Sequence, residues 1–203
     1  LLCNQAFSKT NAVVHMMHQV ACSKLAKSEF MIGLMTSIVS ASGKDKDISI
    51  KNLISEVMMM TETIRALLYS SENQAHEDEW GHYIPLRKPI DTSRNLFPDM
   101  YPRMVEILQL LGASSLMATP SEADFANEIS EDVEKYFQLS NLDSKNRVAL
   151  FRLAHDVAIS GFGSRQALYE RYFFGPPALM ASSYYDLYNK DELMERIDSL
   201  LSE

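Results

Sequence analysis

Between Val14 and Val39, apolar or small residues recur at Val14, His18, Ala21, Leu25, Ser28, Ile32, Met35 and Val39, in alternating steps of four and three. This spacing keeps one stripe on one face of an α-helix, whereas a half-buried strand would alternate every second residue. Gly43 and the charged stretch Lys44–Asp47 end the segment, and a second helix opens near Ser49 with Leu53, Val57, Met60, Ile64 and Leu67 in the same spacing. Two long helices joined by a short polar link are expected to pack antiparallel, which points to a helix bundle.

Between Ala75 and Arg103 the periodicity gives way to Trp80, Gly81, Pro85, Pro89, Pro98 and Pro102. Proline removes a backbone donor and fixes φ, so an ordered surface loop of roughly 25 residues is expected there. A shorter helix should follow Pro102 and stop at Gly112, and another should start at Ser121 and run to about Phe137. A third long helix is expected from about Asp143, with Leu150, Ala154, Val157, Gly161 and Leu168 on one side, until Gly175-Pro176-Pro177 breaks it. A tail carrying Tyr184, Tyr185 and Tyr188 leads to an amphipathic helix at Asp191–Leu201. No segment carries a strong strand signal. The fold class is all-α: an antiparallel four-helix bundle with short extra helices and a long Pro-rich loop. It forms one domain over residues 1–203, with the bundle at about 1–175 and a tail and helix at about 176–203.

At 203 residues with 46% hydrophobic content, the chain can bury a full core. A formal charge of −8 without any local basic run repels phosphate backbones, which argues against a nucleic-acid partner. No apolar run is long enough to span a bilayer, and no basic-then-apolar leader opens the chain. Cys3 and Cys22 form neither a disulfide framework nor a CxxC pair, which fits the reducing cytoplasm. The first residue is Leu1 and the opening residues read as helix interior, so the chain is expected to be a fragment.

The stretch from Ile159 to Pro177 is the most informative for function. Gly161 and Arg165 are four apart and share a helix face; the glycine lets a ligand or a backbone approach, and the guanidinium can pair with a phosphate. The same residues also fit close helix packing, with Arg165 paired to Glu170.

Ser160, Phe162, Gly163, Arg165, Tyr169, Glu170 and Gly175 form an S-x-F-G-x-R-x-x-x-Y-E-x-x-x-x-G pattern. It resembles the C-terminal signature of the 4-hydroxyphenylacetate 3-monooxygenase oxygenase family. Gly112–Phe125, Trp80–Pro89 and Ala21–Gly33 resemble further segments of that family in the same order. The resemblance implies the C-terminal bundle of an acyl-CoA dehydrogenase-like architecture, with the family's N-terminal helical and middle β domains absent from this chain. It implies reduced FAD delivered by a separate flavin reductase, ortho-hydroxylation of a phenolic small molecule, and a homo-oligomer of two or four subunits. The cofactor carries the difficult chemistry while the protein orients the ring and excludes water. The flavin-facing group implied here is Ser160, Gly161, Gly163, Ser164, Arg165, Phe174, Gly175, Pro176 and Pro177. No catalytic residue is assigned in this chain, and the domain alone is expected to be inactive. Where the family usually has Gly-Asp-Pro, this chain has Gly175-Pro176-Pro177, which withdraws one N–H donor.

Two other readings stand beside this one. His15 and Cys22 have a His-x6-Cys spacing that resembles part of the iron–sulfur ligand set of 4-hydroxybutyryl-CoA dehydratase. Seven residues of unbroken helix rise about 10.5 Å, however, too far for one metal centre, so no metal site is assigned. The last reading is a helical interaction domain without cofactor.

Overall fold

The computed structural model describes residues 2–202. A short helix α1 (Leu2–Lys9) turns at Asn11, whose left-handed φ of 58° is tolerable for asparagine, into the 30-residue α2 (Ala12–Ala41). A tight link leads to α3 (Ile48–Asn73), which opens on Asp47; the Asp47 carboxylate accepts from the backbone N–H groups of Ser49 and Ile50. His18 meets Glu72 and Glu29 meets Arg65, so α2 and α3 run antiparallel as expected. A two-residue antiparallel ladder, β1 (His76–Glu77) with β2 (Tyr83–Ile84), occupies the next turn, and α4 (Arg87–Gly112) follows.

The expected Pro-rich loop is therefore about half its anticipated length, because α4 takes in Pro89, Pro98 and Pro102. Pro89 lies in the first turn, where the missing N–H has no intrahelical acceptor to lose. Pro98 and Pro102 lie in the interior at about 3 kcal/mol each. Against that cost α4 buries Ile90, Phe97, Tyr101, Met104, Ile107 and Leu108, each contributing roughly 1.5–3 kcal/mol. Burial wins, and the helix continues through both prolines.

After α4 the chain forms two short 3₁₀ turns (Ala113–Leu116 and Glu122–Phe125) and α5 (Ser130–Tyr136). Ser121 does start a helical turn, with a reciprocal capping box to Asp124, but the turn stops at Phe125 instead of reaching Phe137. The expected third long helix is two: α6 (Ser144–Ala158) and α7 (Gly161–Tyr172), broken at Ile159-Ser160. The tyrosine tail is also helical, forming α8 (Pro177–Leu187) ahead of α9 (Asp191–Leu201), which has the bounds its amphipathic pattern indicated.

The core lies where α2, α3 and α4 pack against one another and α6 closes the fourth side; Met31, Met35, Ile38, Val57, Ile64, Phe97, Met104, Ile107, Leu108, Phe151 and Ala154 fill it. α7 lies across α4 and α6. The all-α bundle is thus as the sequence indicated. Among the described residues, no helix is long and apolar enough to cross a membrane.

Candidate functional site

The N-terminus of α7 is built by Ser160. Its Oγ accepts from the Gly163 N–H at 3.1 Å and donates to the Asp156 carbonyl at 2.7 Å, so the hydroxyl caps α7 and ties it to the end of α6. A Cβ on Gly163 would come within 2.2 Å of the Val157 carbonyl oxygen; the absent side chain is what lets α7 seat on α6. Gly161 differs, having nothing within 4 Å of its Cβ position. The N–H groups of Gly161 and Phe162 remain as the donors of the first turn that Ser160 does not satisfy. Ser164 is exposed beside them. One turn on, Arg165 is exposed and makes no ion pair among the described residues. The acid that could have held it, Glu170, is taken by Lys27 and by Gln166 Nε2 at 2.8 Å.

Phe174, Gly175, Pro176 and Pro177 lie beyond the other end of α7. The 12 residues of α7 rise about 18 Å, so the start of the helix and the segment beyond its end are not one compact seat. Phe174 points inward against Val14, Met17 and Ile90. Gly175 takes φ +109°, a conformation glycine alone adopts readily, and Pro177 supplies the first position of α8. Pro176 stands at the N-cap with no side-chain acceptor, the very function an aspartate would serve there.

Beside α7 lies a group of charges that the periodicity did not bring out. Lys24 is 2% exposed, and its Nζ has no hydrogen-bond partner among the described residues. The ammonium sits over the rings of Phe97 and Phe174, at 4.7 and 5.2 Å from their centroids. Burial lowers its pKa to about 8, with nearby Lys27 and Arg94 acting in the same direction and Glu170 against it. Glu170 is 3% exposed with one oxygen unpaired. Burial, assisted by Glu170, raises the Tyr101 phenol to about 12. Next to this cluster an apolar cavity of about 200 Å³ is lined by Lys27, Phe30, Tyr101, Phe162, Gly163 and Gln166, among others. Its walls come from α2, α4, α6 and α7, so only folding assembles it. Lys24 did leave a trace in the sequence: a lysine three residues after Ala21 and four before Ser28 falls inside the buried stripe.

α2 is unbroken through His15 and Cys22, which keeps the two apart as the helical rise requires. Cys22 instead approaches His18, with Sγ 4.0 Å from Nε2. Both cysteines are free.

The profile of the 4-hydroxyphenylacetate 3-hydroxylase C-terminal family matches residues 3–202. The oxygenase component of 4-hydroxyphenylacetate 3-monooxygenase from Thermus thermophilus is 43% identical over 202 residues, covering all of this chain and 42% of the relative. A crystal structure of such an oxygenase component complexed with FAD and 4-hydroxyphenylacetate superposes with a TM-score of 0.95 at 43% identity, covering 99% of this chain and 42% of that one. An archaeal 4-hydroxybutyryl-CoA dehydratase from N. maritimus shares the fold, with a TM-score of 0.80 at 19% identity over 92% of this chain and 38% of the other. The chain thus spans less than half the length of the proteins it matches.

Proposed function

Because this chain belongs to the 4-hydroxyphenylacetate 3-hydroxylase C-terminal family, we propose that it serves as the C-terminal, FAD-contacting and oligomerising part of a two-component aromatic hydroxylase. The observation that carries this is the end-to-end similarity to an oxygenase component whose crystal structure holds FAD and 4-hydroxyphenylacetate. A phenol of that type is the substrate, hydroxylated ortho to its existing hydroxyl. Reduced FAD comes from a separate reductase, and the enzyme works in the cytoplasm, in keeping with two free thiols.

The residues at the start of α7 suit a diphosphate. Arg165 offers a guanidinium that no acid among the described residues neutralises, Gly161 leaves open space, and the Gly161 and Phe162 N–H groups lie at the positive end of the helix. Ser160 supports them as the cap, and Ser164 adds an exposed hydroxyl. Gly163 is a packing residue within this seat. The Phe174–Pro177 segment reaches the cofactor, in this reading, at a second point beyond the other end of α7. Bound flavin supplies the oxygen chemistry; the protein's share is to hold the phosphates, orient the rings and keep water from the apolar cavity.

In the whole enzyme, Arg165→Ala should weaken FAD binding by about 1.5–3 kcal/mol, the loss of a charge-assisted hydrogen bond. The dissociation constant of FAD, read by fluorescence quenching, checks this. An unchanged constant removes Arg165 from the flavin site. The dehydratase alternative needs His15 and Cys22 to converge, which an intact α2 opposes.

A further inference from the structure

We propose that His18, Cys22 and Glu72 form a binding site for a single borderline-soft divalent cation, of which Zn²⁺ is the physiological example. The Nε2 of His18, the Sγ of Cys22 and a carboxylate oxygen of Glu72 all lie within 4.8 Å of one another. His18 and Cys22 are four residues apart in the middle of α2, so one turn of a rigid helix places both side chains on one side. Glu72 comes from the antiparallel neighbour α3, with its carboxylate 2.8 Å from His18 Nε2. Its backbone is held in turn: the adjacent Ser71 accepts from Leu86 N–H at 2.9 Å through its carbonyl and donates to the Leu86 carbonyl at 2.7 Å through Oγ. Ligands on packed helices are held more narrowly than ligands on loops.

The donor set is chemically selective. A thiolate, an imidazole and a carboxylate are the ligands of zinc sites, and three protein ligands leave a fourth position for water. Tetrahedral bonds of about 2.0–2.3 Å place neighbouring ligand atoms about 3.3–3.7 Å apart. The observed 2.8 and 4.0 Å bracket that range, so small rotations about side-chain torsions complete the geometry. The charges balance as well, since one thiolate and one carboxylate neutralise a divalent ion.

Electrostatics give a reason for a cation at this position. Glu72 lies in the last turn of α3, where the helix dipole opposes a carboxylate, and that turn carries no basic residue. Its partner His18 contributes positive charge only when protonated. Binding expels the thiol proton to solvent and replaces it with the metal. The site does not depend on flavin binding.

Cobalt reports the site directly. The full chain, freed of purification tags and kept reduced, is titrated with Co²⁺ and followed by absorption. The expected result is saturation at one ion per chain, with a thiolate-to-cobalt charge-transfer band that equimolar Zn²⁺ abolishes. Cys22→Ser should remove the band and Cys3→Ser should leave it. His18→Ala and Glu72→Gln should each weaken Co²⁺ by about tenfold or more. All four positions are on the surface or partly exposed, and circular dichroism verifies that the variants remain helical. A reduced chain that shows no such band with Co²⁺ in excess overturns the proposal. So does a band that survives Cys22→Ser, or one indifferent to both His18→Ala and Glu72→Gln.

Discussion

Lys24 carries an ammonium into the interior of the bundle, between two phenylalanine rings and without a hydrogen bond among the described residues. Cation–π attraction of about 2 kcal/mol when desolvated offsets only part of the cost of burying a charge. The balance shows in its pKa of about 8 against the usual 10.5. Below pH 8 the lysine is charged in both folded and unfolded chains, and the penalty is complete. Between pH 8 and 10.5 the unfolded chain binds the proton that the folded one has released, so stability rises with pH in that window. Tyr101 acts oppositely above pH 10, because its phenol is raised to about 12 in the folded state. Urea unfolding between pH 7 and 10 should therefore find Lys24→Met more stable than the native chain by up to about 3 kcal/mol at pH 7, with the advantage shrinking toward pH 10. An advantage independent of pH would mean that Lys24 is not the group titrating. The lysine was visible in the sequence as a charge inside an apolar stripe. Its neighbours were not: Phe97, Arg94, Phe174 and Glu170 reach it from α4, from α7 and from the turn after α7.

Among the elements, the break between α6 and α7 decides the shape of the candidate site. A single helix through Ile159 and Ser160 would have been consistent with the apolar spacing, which registers one continuous stripe. The chain instead caps at Ser160 and seats Gly163 on the final carbonyls of α6. Gly163→Ala should cost about 1–3 kcal/mol in thermal or denaturant unfolding, because the added methyl meets immovable backbone. Gly161→Ala, with open space around it, should be neutral or stabilising by up to about 1 kcal/mol. Equal effects at both glycines would contradict this division of roles. α4 shows the reverse error of sequence reading: three prolines suggested a loop, and burial of one face made a helix. At α4 local propensity was outweighed by packing that only the neighbouring helices provide, whereas at Ser160 a local cap interrupted the longer apolar stripe.

On the scale of the whole molecule, the end of the chain is its least satisfied part. α9 buries no residue and packs little on any other helix, yet it presents Leu193, Met194, Ile197, Leu200 and Leu201 to solvent, near exposed Tyr185. An exposed apolar face of that kind marks a protein–protein interaction surface. Removing residues 191–203 should leave the unfolding midpoint of the bundle within about 2 °C of its original value while lowering the mass found by light scattering at micromolar concentration. A truncated chain that stays as associated as the intact one would place the interface elsewhere. What the sequence alone determined was the helical class, the two long antiparallel helices, the last helix, and the family to which the chain belongs. These depend on periodicity and on short residue patterns, which are local. The tertiary structure decided which prolines lie within a helix, where the third long segment breaks, and how far apart the two halves of the expected flavin-facing group lie. It also decided which charges meet around Lys24 and Glu170, because burial and ion pairing depend on residues far apart in the chain that only packing brings together.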